Sequence, residues 1–481
     1  MNSTGLVAGV DSSTQSTKVE IRRLDDGSVV GTASAPHPTT TPPRSEQDPA
    51  TWWQAFETAF AAAAAAAGVT AVDAISVAGQ QHGMVVLDDD GEVIRPAKLW
   101  NDTETAPDAG WLRKQLPDGA PGWAAAIGSV PTAAFTATKL SWLHRSEPEH
   151  WARLAHVLLP HDWLTGRLAR SFTTDRGDAS GTGYWSPATG GYRWDLLAII
   201  DRERDWTDVV PRVAEPLEVV GSWQGAQVAC GTGDNMAAAL GLGLRTGRAV
   251  VSLGTSGTAF TVADAPTADA TGAVAGFADA TGRFLPLVCT SNASKVLNAA
   301  ARLLAADRAG FDALALAGAP GAGGLVLLPY LDGERTPELP SATGVLAHLR
   351  SDVTREQFAR AAVEGVVCSM LEALDALRRH APVDSVVLTG GGARSAAVRQ
   401  VFADLCDVPV SVSSVDEAVA AGACVQAAAV ALGVDHAEVI ARWGFGADSE
   451  VDASGGDLAG TAAAVRGAYA ATRAHQFPTT A

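Results

Sequence analysis

Residues 230–237 read CGTGDNMA and set an acid and an amide, Asp234 and Asn235, behind a run of small residues. A carboxylate with an ordinary pKa of about 4 is ionised at neutral pH and can take a proton from an alcohol as that oxygen forms a new bond. The neighbouring amide can donate to or accept from a polyol's hydroxyls. The competing role for Asp234 is purely local, a cap for a helix that begins at Met236.

Two other stretches have the chemistry of phosphate sites. In VAGVDSSTQSTKVEI (7–21) and VVSLGTSGTAFTV (250–262) an apolar strand runs into a Gly/Ser/Thr turn and then into a second apolar strand. Such turns present successive backbone N–H groups and hydroxyls, which bind phosphate without a lysine. Asp11 heads the first turn, where a carboxylate can hold Mg²⁺ directly or through water. Gly254 takes the equivalent place in the second and leaves room for phosphate. A third turn, LTGGGARS (388–395), suits a nucleotide's sugar and base. The chain has neither a GxxxxGK[ST] loop nor a convincing dinucleotide fingerprint, so its phosphate logic is hairpin-based.

Polar residues for a small polyol follow strand-like runs. In AGQQHG, Gln81 and His82 leave the buried strand AISVAG (74–79), the usual place for ligand contacts in α/β folds. LWND offers Trp100 as an apolar wall for a sugar face, with Asn101 and Asp102 as polar partners. DRGDASGT supplies Asp175, Arg176 and Asp178 in a loop expected to wall the same pocket.

These residues need elements to hold them. Strand and helix patterns alternate along the 481 residues, which is α/β architecture and too long for one core. Asp48-Pro49 opens a helix that runs through the alanines of 61–67 to Gly68. GMVVLDDDGEVI reads as a hairpin turning at Asp90-Gly91. The echo between 7–21 and 250–262 implies two similarly built domains, divided as 1–246 and 247–481. Residues 434–481 read as an exposed, alanine-rich helical tail. With 35 Lys and Arg against 53 Asp and Glu, the net charge is −18. That field argues against nucleic acid or an anionic membrane as partner. Five scattered cysteines without a CxxC pair, and no apolar run long enough to span a bilayer, lead to a cytoplasmic expectation.

GVDSSTQSTK, AGQQHGMV, LWND, TKLSWL, DRGDASGTGYW, GTGDNMA, SLGTSGT and TGGGARS occur in that order across residues 9–395. Together they resemble the FGGY carbohydrate kinases. The resemblance implies two actin-like, ribonuclease H-like domains with ATP in the cleft between them and the sugar deeper. GQQHG with LWND and DASGT points to D-xylulose as the acceptor; ribulose, another ketose or a polyol is the alternative. The implied reaction is ATP plus D-xylulose to ADP plus D-xylulose 5-phosphate, with Mg²⁺ required and a homodimer admitted. Asp234 becomes the base, and Gln81, His82, Trp100, Asn101, Asp102 and Asn235 the sugar contacts. Asp11 and Asp234 become the metal residues, Ser13, Thr14, Gly254 and Thr255 the phosphate contacts, and Gly391 and Gly392 the nucleoside contacts. The chain departs from the family pattern at Ala134 and Ser146 around KLSWL, at His348, and at Thr103-Glu104 after LWND. An actin-like ATPase is the remote alternative, one that gives GQQHG, LWND and Asp234-Asn235 no purpose.

Overall fold

A computed structural model describes residues 5–478; Met1–Thr4 and Thr479–Ala481, the latter the end of the expected C-terminal tail, lie outside the described residues. The chain forms two compact units.

The first unit is built on strands β1 (Leu6–Ser12), β2 (Ser16–Arg23), β3 (Val29–Pro36), β4 (Ala74–Gly79), β5 (Val219–Trp223) and β6 (Ala226–Ala229), in the order β5-β6-β4-β1-β2-β3. The first three strands form an antiparallel meander, whereas β4 runs parallel to β1 and β6 parallel to β4. Val7, Ala8 and Val10 are fully buried, which is why β1 reads as a continuous apolar run. Helix α1 (Pro49–Ala67) starts where Asp48 accepts from Ala50 N at 2.9 Å and stops where Gly68 turns left-handed at φ 68°. Its alanines allow backbone-close packing on β3: a Cβ at Gly31 would lie 2.2 Å from Ala63 O. Further helices in this unit are α2 (Thr136–Ser146), α3 (Pro160–Ala169) and α4 (Asp234–Gly241). The expected 83–94 hairpin forms as a tight turn with Gly91 at φ 76°, closed by an antiparallel Leu87–Val93 bridge, and Val85–Leu87 pairs on its other side with His156–Leu158.

The second unit repeats the plan. Strands β7 (Gly247–Leu253), β8 (Gly257–Thr261), β9 (Phe284–Thr290), β10 (Val383–Thr389) and β11 (Val410–Val412) order as β9-β8-β7-β10-β11. Strands β7, β8 and β9 are antiparallel neighbours, and β10 and β11 run parallel to β7. The echo in the sequence is therefore the β1–β2 and β7–β8 hairpin of two sheets of one topology. Helix α5 (Ser294–Leu303) belongs to this unit.

The expected contiguous split at 246/247 gives way to an interleaved one. Residues 264–285 and 417–446 cluster with the first unit, and the second comprises 244–263, 286–416 and the chain from 447 onward. The reason for the second return is α6 (Ala418–Leu432), whose small residues pack closely against β1, β4 and α4. A Cβ at Gly9 would lie 2.2 Å from Ala420 O, one at Gly241 2.0 Å from Ala418 O, and one at Gly422 1.7 Å from Ala237 O. The tail reading also needs correction. The alanine-rich helix Leu458–Gln476 forms, but Tyr469 is buried in the second unit, its hydroxyl 3.1 Å from that of Tyr330. Among the described residues no single helix is long and apolar enough to cross a membrane.

This packing makes Gly422→Ala destabilising by about 2 kcal/mol or more, because the methyl meets backbone that cannot give way. Gly467→Ala, in an exposed helix with open space around it, should be neutral or slightly stabilising. Urea unfolding of the two variants tests the pair; equal midpoints would refute the packing argument.

Candidate active site

Three neighbouring chain segments end at one level of the first sheet. Asp11 pairs with Ala78 and Ser12 with Gly79 across β1 and β4. On the other side of β4, Thr232 pairs with Ala78 and Gly233 with Gly79. Asp11, Gln80-Gln81-His82 and Asp234-Asn235 therefore stand together at the carboxyl ends of parallel strands, where side chains leave the sheet without blocking its ladder.

Asp234 is not the cap of a helix starting at Met236. It is the first residue of α4, Gly233 occupies the cap position, and no side chain caps the helix. Its Oδ1 accepts from Asn235 N and Asn235 Nδ2, both at 2.8 Å. Asn235 Nδ2 also donates to Gln81 Oε1 at 2.9 Å, which joins motifs 154 residues apart. Burial, then the charges of Asp11 and Asp178, push the Asp234 carboxyl up to about 7. Burial likewise pushes Asp11 up to about 7, against the opposing pull of Lys18 and with Glu417 and Glu20 adding to the rise. Lys18 itself is ion-paired to Glu417.

His82 is held on every side. It takes φ 65°, a left-handed conformation that disfavours a residue with a Cβ. Its ring stacks on Phe135 with centroids 5.0 Å apart and approaches Phe277 at 5.5 Å. Nδ1 lies 2.8 Å from the Gly181 carbonyl. A carbonyl only accepts, so Nδ1 carries the proton there. Phe135 is set in turn by Lys139, a buried lysine whose Nζ donates to the carbonyls of Ala133, Ala134 and Phe135. Burial lowers that ammonium to about 7. Neither phenylalanine was legible as a site residue; Lys139 stood in TKLSWL without a role.

LWND divides. Trp100 Nε1 donates to Thr14 Oγ1 at 2.9 Å, so the expected sugar wall is anchored to the first phosphate turn. Asn101 Oδ1 is buried without a hydrogen-bond partner, an acceptor available to a hydroxyl. Asp102 departs from its expected sugar contact: it is fully buried, and its oxygens accept from Ser45 N, Lys98 Nζ and Glu104 N. Glu46, Asp102 and Glu104 have the composition of a metal cluster, but the Lys98 ammonium lies 2.8–3.0 Å from all three. Glu104, which departs from the family pattern, is fixed by that lysine and by Arg44.

The phosphate turns also differ from the expectation in detail. Ser13 Oγ donates to Ser16 O, and Thr14 Oγ1 donates to Gln80 Oε1 while accepting from Trp100. Both hydroxyls thus close the turn. In the second unit, the carbonyl of Gly254 accepts from Ser294 N and that of Thr255 from Ala293 N, which ties the turn to the start of α5. Glu334, from the YLDGERTP string, secures the same region by accepting from Ser291 N and Asn292 Nδ2. Gly391 and Gly392 line a cavity of about 360 Å³ with Ser294, Asn298, Phe311 and Asp312. A Cβ at Gly392 would lie 2.5 Å from Ser294 Oγ, so only glycine leaves that wall open. The residues of α5 were missed, since SKVLNAAARL reads as an ordinary amphipathic helix.

Comparison with known proteins bears on this arrangement. Residues 6–241 match the N-terminal domain, and 249–431 the C-terminal domain, of the FGGY family of carbohydrate kinases. A xylulose kinase of Streptomyces coelicolor is 46% identical over 93% of this chain and 92% of its own, and one of Escherichia coli 35% identical over 82% and 84%. The crystal structure of a xylulose kinase from Bifidobacterium adolescentis superposes with a TM-score of 0.84 at 38% identity, over 98% of this chain and 99% of that one.

The raised carboxyls fix a pH dependence of stability. A carboxyl at about 7 in the fold and about 4 in the unfolded chain binds more protons folded than unfolded between those values. Stability therefore falls as pH rises through that window. In ligand-free urea unfolding between pH 5 and pH 8, Asp234→Asn should remove a loss on the order of 1 kcal/mol or more. A wild-type slope in the variant would contradict the assigned burial of this charge.

Proposed function

Because the chain belongs to the FGGY family of carbohydrate kinases, we propose that it transfers the terminal phosphoryl group of ATP to D-xylulose, giving ADP and D-xylulose 5-phosphate. The observation that carries this reading is the Gln81–Asn235 hydrogen bond beside the Asp234 carboxylate. It sets donors and acceptors for a polyol next to a proton acceptor at the carboxyl ends of the strands.

Phosphoryl transfer to an alcohol asks for alignment, charge neutralisation and a destination for the hydroxyl proton. Asp234 takes that proton as the sugar oxygen bonds to phosphorus. Its elevated pKa makes it a better acceptor than a solvated aspartate while leaving a large ionised fraction near neutrality. Nδ1–H of His82 donates to Gly181 O, which fixes the ring as a polar contact for a sugar hydroxyl. Gln81, Asn235 and Asn101 Oδ1 supply further polar contacts, and Trp100 the apolar wall. Asp102 holds LWND in place through Lys98.

Asp11 and Asp234 would hold Mg²⁺. The fit rests on Asp11 Oδ1, a buried oxygen with no partner, and on the mutual proximity of two hard carboxylate ligands. When bound, the ion offsets phosphate charge that this acidic chain otherwise repels. For ATP, the cavity lined by Asn298, Phe311, Gly391 and Gly392 has the size of a small-ligand site and suits the nucleoside. The turns at 13–15 and 254–256 offer backbone N–H groups to phosphates. The cytoplasm is the proposed compartment, on five cysteines that form no disulfide.

The test is coupled ADP release with ATP, with and without Mg²⁺, over D-xylulose, D-ribulose, L-ribulose, L-xylulose, glycerol and xylitol. D-Xylulose should give the highest kcat/KM and chelation should abolish turnover. Asp234→Asn should cost at least about 10²-fold in kcat with sugar binding retained. Preference for another acceptor would overturn the substrate, and near-wild-type turnover in Asp234→Asn would overturn the base.

A further inference from the structure

The motif TKLSWL has no part in the reaction described above. It lies in α2, where Thr136–Leu143 are all buried, polar residues included. Lys139 is committed to backbone carbonyls, and Trp142, three residues on, shares its side of the helix. The Lys98 ammonium sits 3.9 Å from the centre of the Trp142 ring, and the Arg95 guanidinium 5.3 Å from it. Lys98 is fully buried. Its Nζ lies 2.9 Å from Glu46 Oε1, 3.0 Å from Asp102 Oδ2 and 2.8 Å from Glu104 Oε2. An ammonium has three donors, which here meet three carboxylates, with an aromatic face beside them. Arg95 joins the cluster through Glu46 at 2.6 Å and through Glu147, the residue that ends α2, at 2.7 Å.

This cluster holds the segment expected to wall the sugar. Lys98 donates to Asp102, four residues on, so their ion pair closes a short loop that contains Trp100 and Asn101. Two backbone contacts fasten the same loop. Lys98 pairs with Met84, two residues past His82, and Leu99 N donates to Ser45 O at 2.9 Å. From its other end α2 reaches His82: Thr136 Oγ1 donates to the His82 carbonyl at 3.2 Å, and Lys139 sets Phe135 against the His82 ring. One helix is thereby tied to both groups of sugar contacts.

Stability does not account for such a cluster. Attraction among buried charges roughly offsets the cost of drying them, and apolar residues of equal volume would serve as well. What charges with fixed partners add is a single geometry. We propose that Lys98 is a positioning residue for the sugar acceptor: its buried ammonium, set between Glu46, Asp102, Glu104 and the Trp142 ring, holds the Trp100–Asn101 segment in the arrangement that the acceptor fits. The proposal rests on the reading of Trp100 and Asn101 as sugar contacts.

Two variants separate geometry from charge balance. Lys98→Met keeps the length of the side chain but leaves three carboxylates facing one another. The triple variant Lys98→Met/Asp102→Asn/Glu104→Gln keeps the volume and orphans no acid, since Glu46 retains Arg95. Its urea midpoint should equal or exceed that of the wild type. In coupled ADP release with Mg-ATP, both variants should raise the KM for D-xylulose roughly tenfold, with kcat within about twofold of the wild type. The KM for ATP should not change. Loss of kcat at an unchanged sugar KM is what a purely structural role produces, and it overturns the proposal; so does failure of the triple variant to fold. Trp100→Ala and Asn101→Ala, measured alongside, separate the two readings. An unchanged sugar KM in both removes the sugar wall, and the role of Lys98 with it. A raised KM in either, beside a wild-type KM in the folded triple variant, removes Lys98 alone.

Discussion

The structure of the first unit depends on how closely two helices and a strand can approach when their facing residues lack side chains. Gly9, Gly241 and Gly422 each lie where a single methyl would fall 1.7–2.2 Å from a carbonyl oxygen. Ala78, Ala237 and Ala423 fill the seam between them. Packing of this kind has almost no slack, because backbone cannot move aside as a flexible side chain can. It fixes α4 against the sheet, and with it the point at which Asp234 leaves the turn. It also draws 417–446 away from the unit in which its sequence neighbours fold.

The second constraint is electrostatic. Asp11, Asp234, Asp162, Asp175, Asp178 and His161 gather around a few strand ends, and several of the acids are raised by burial. Holding like charges in a low-dielectric site opposes folding. The close-packed seam supplies rigidity around them, and Lys18 supplies opposite charge. Such a site is less stable than an apolar one of equal volume, and burial of this kind is what lifts a carboxyl to near neutrality, where a fully solvated aspartate does not titrate.

The sequence carried the parts that rest on local chemistry. Gly/Ser/Thr turns, the Asp48 cap, buried β strands and the Asp234-Asn235 pair each announce themselves within a few residues. The parts it hid depend on partners far along the chain. Asp102 resembled a ligand until Lys98 and Ser45 came to it. Thr14 resembled a phosphate donor until Trp100 and Gln80 engaged its hydroxyl. Phe135 and Phe277 reach His82 from opposite parts of the sequence, and an isolated phenylalanine has no pattern that distinguishes a ring wall from core. The interleaved units were illegible for the same reason, since the alanines and glycines of α6 show only that some close contact exists.

One strand topology occurs twice, yet the two copies have diverged at corresponding places. At the end of β1 stands Asp11, with an unpaired buried oxygen; just past the end of β7 stands Gly254, which has no side chain. The first unit concentrates carboxylates and amide side chains at its strand ends. The second ties its turn to α5 and opens a cavity floored by Gly391 and Gly392. A glycine at the second turn leaves backbone amide dipoles exposed where an acid would set negative charge. One hairpin geometry thus carries a carboxylate at its turn in the first unit and bare backbone at its turn in the second.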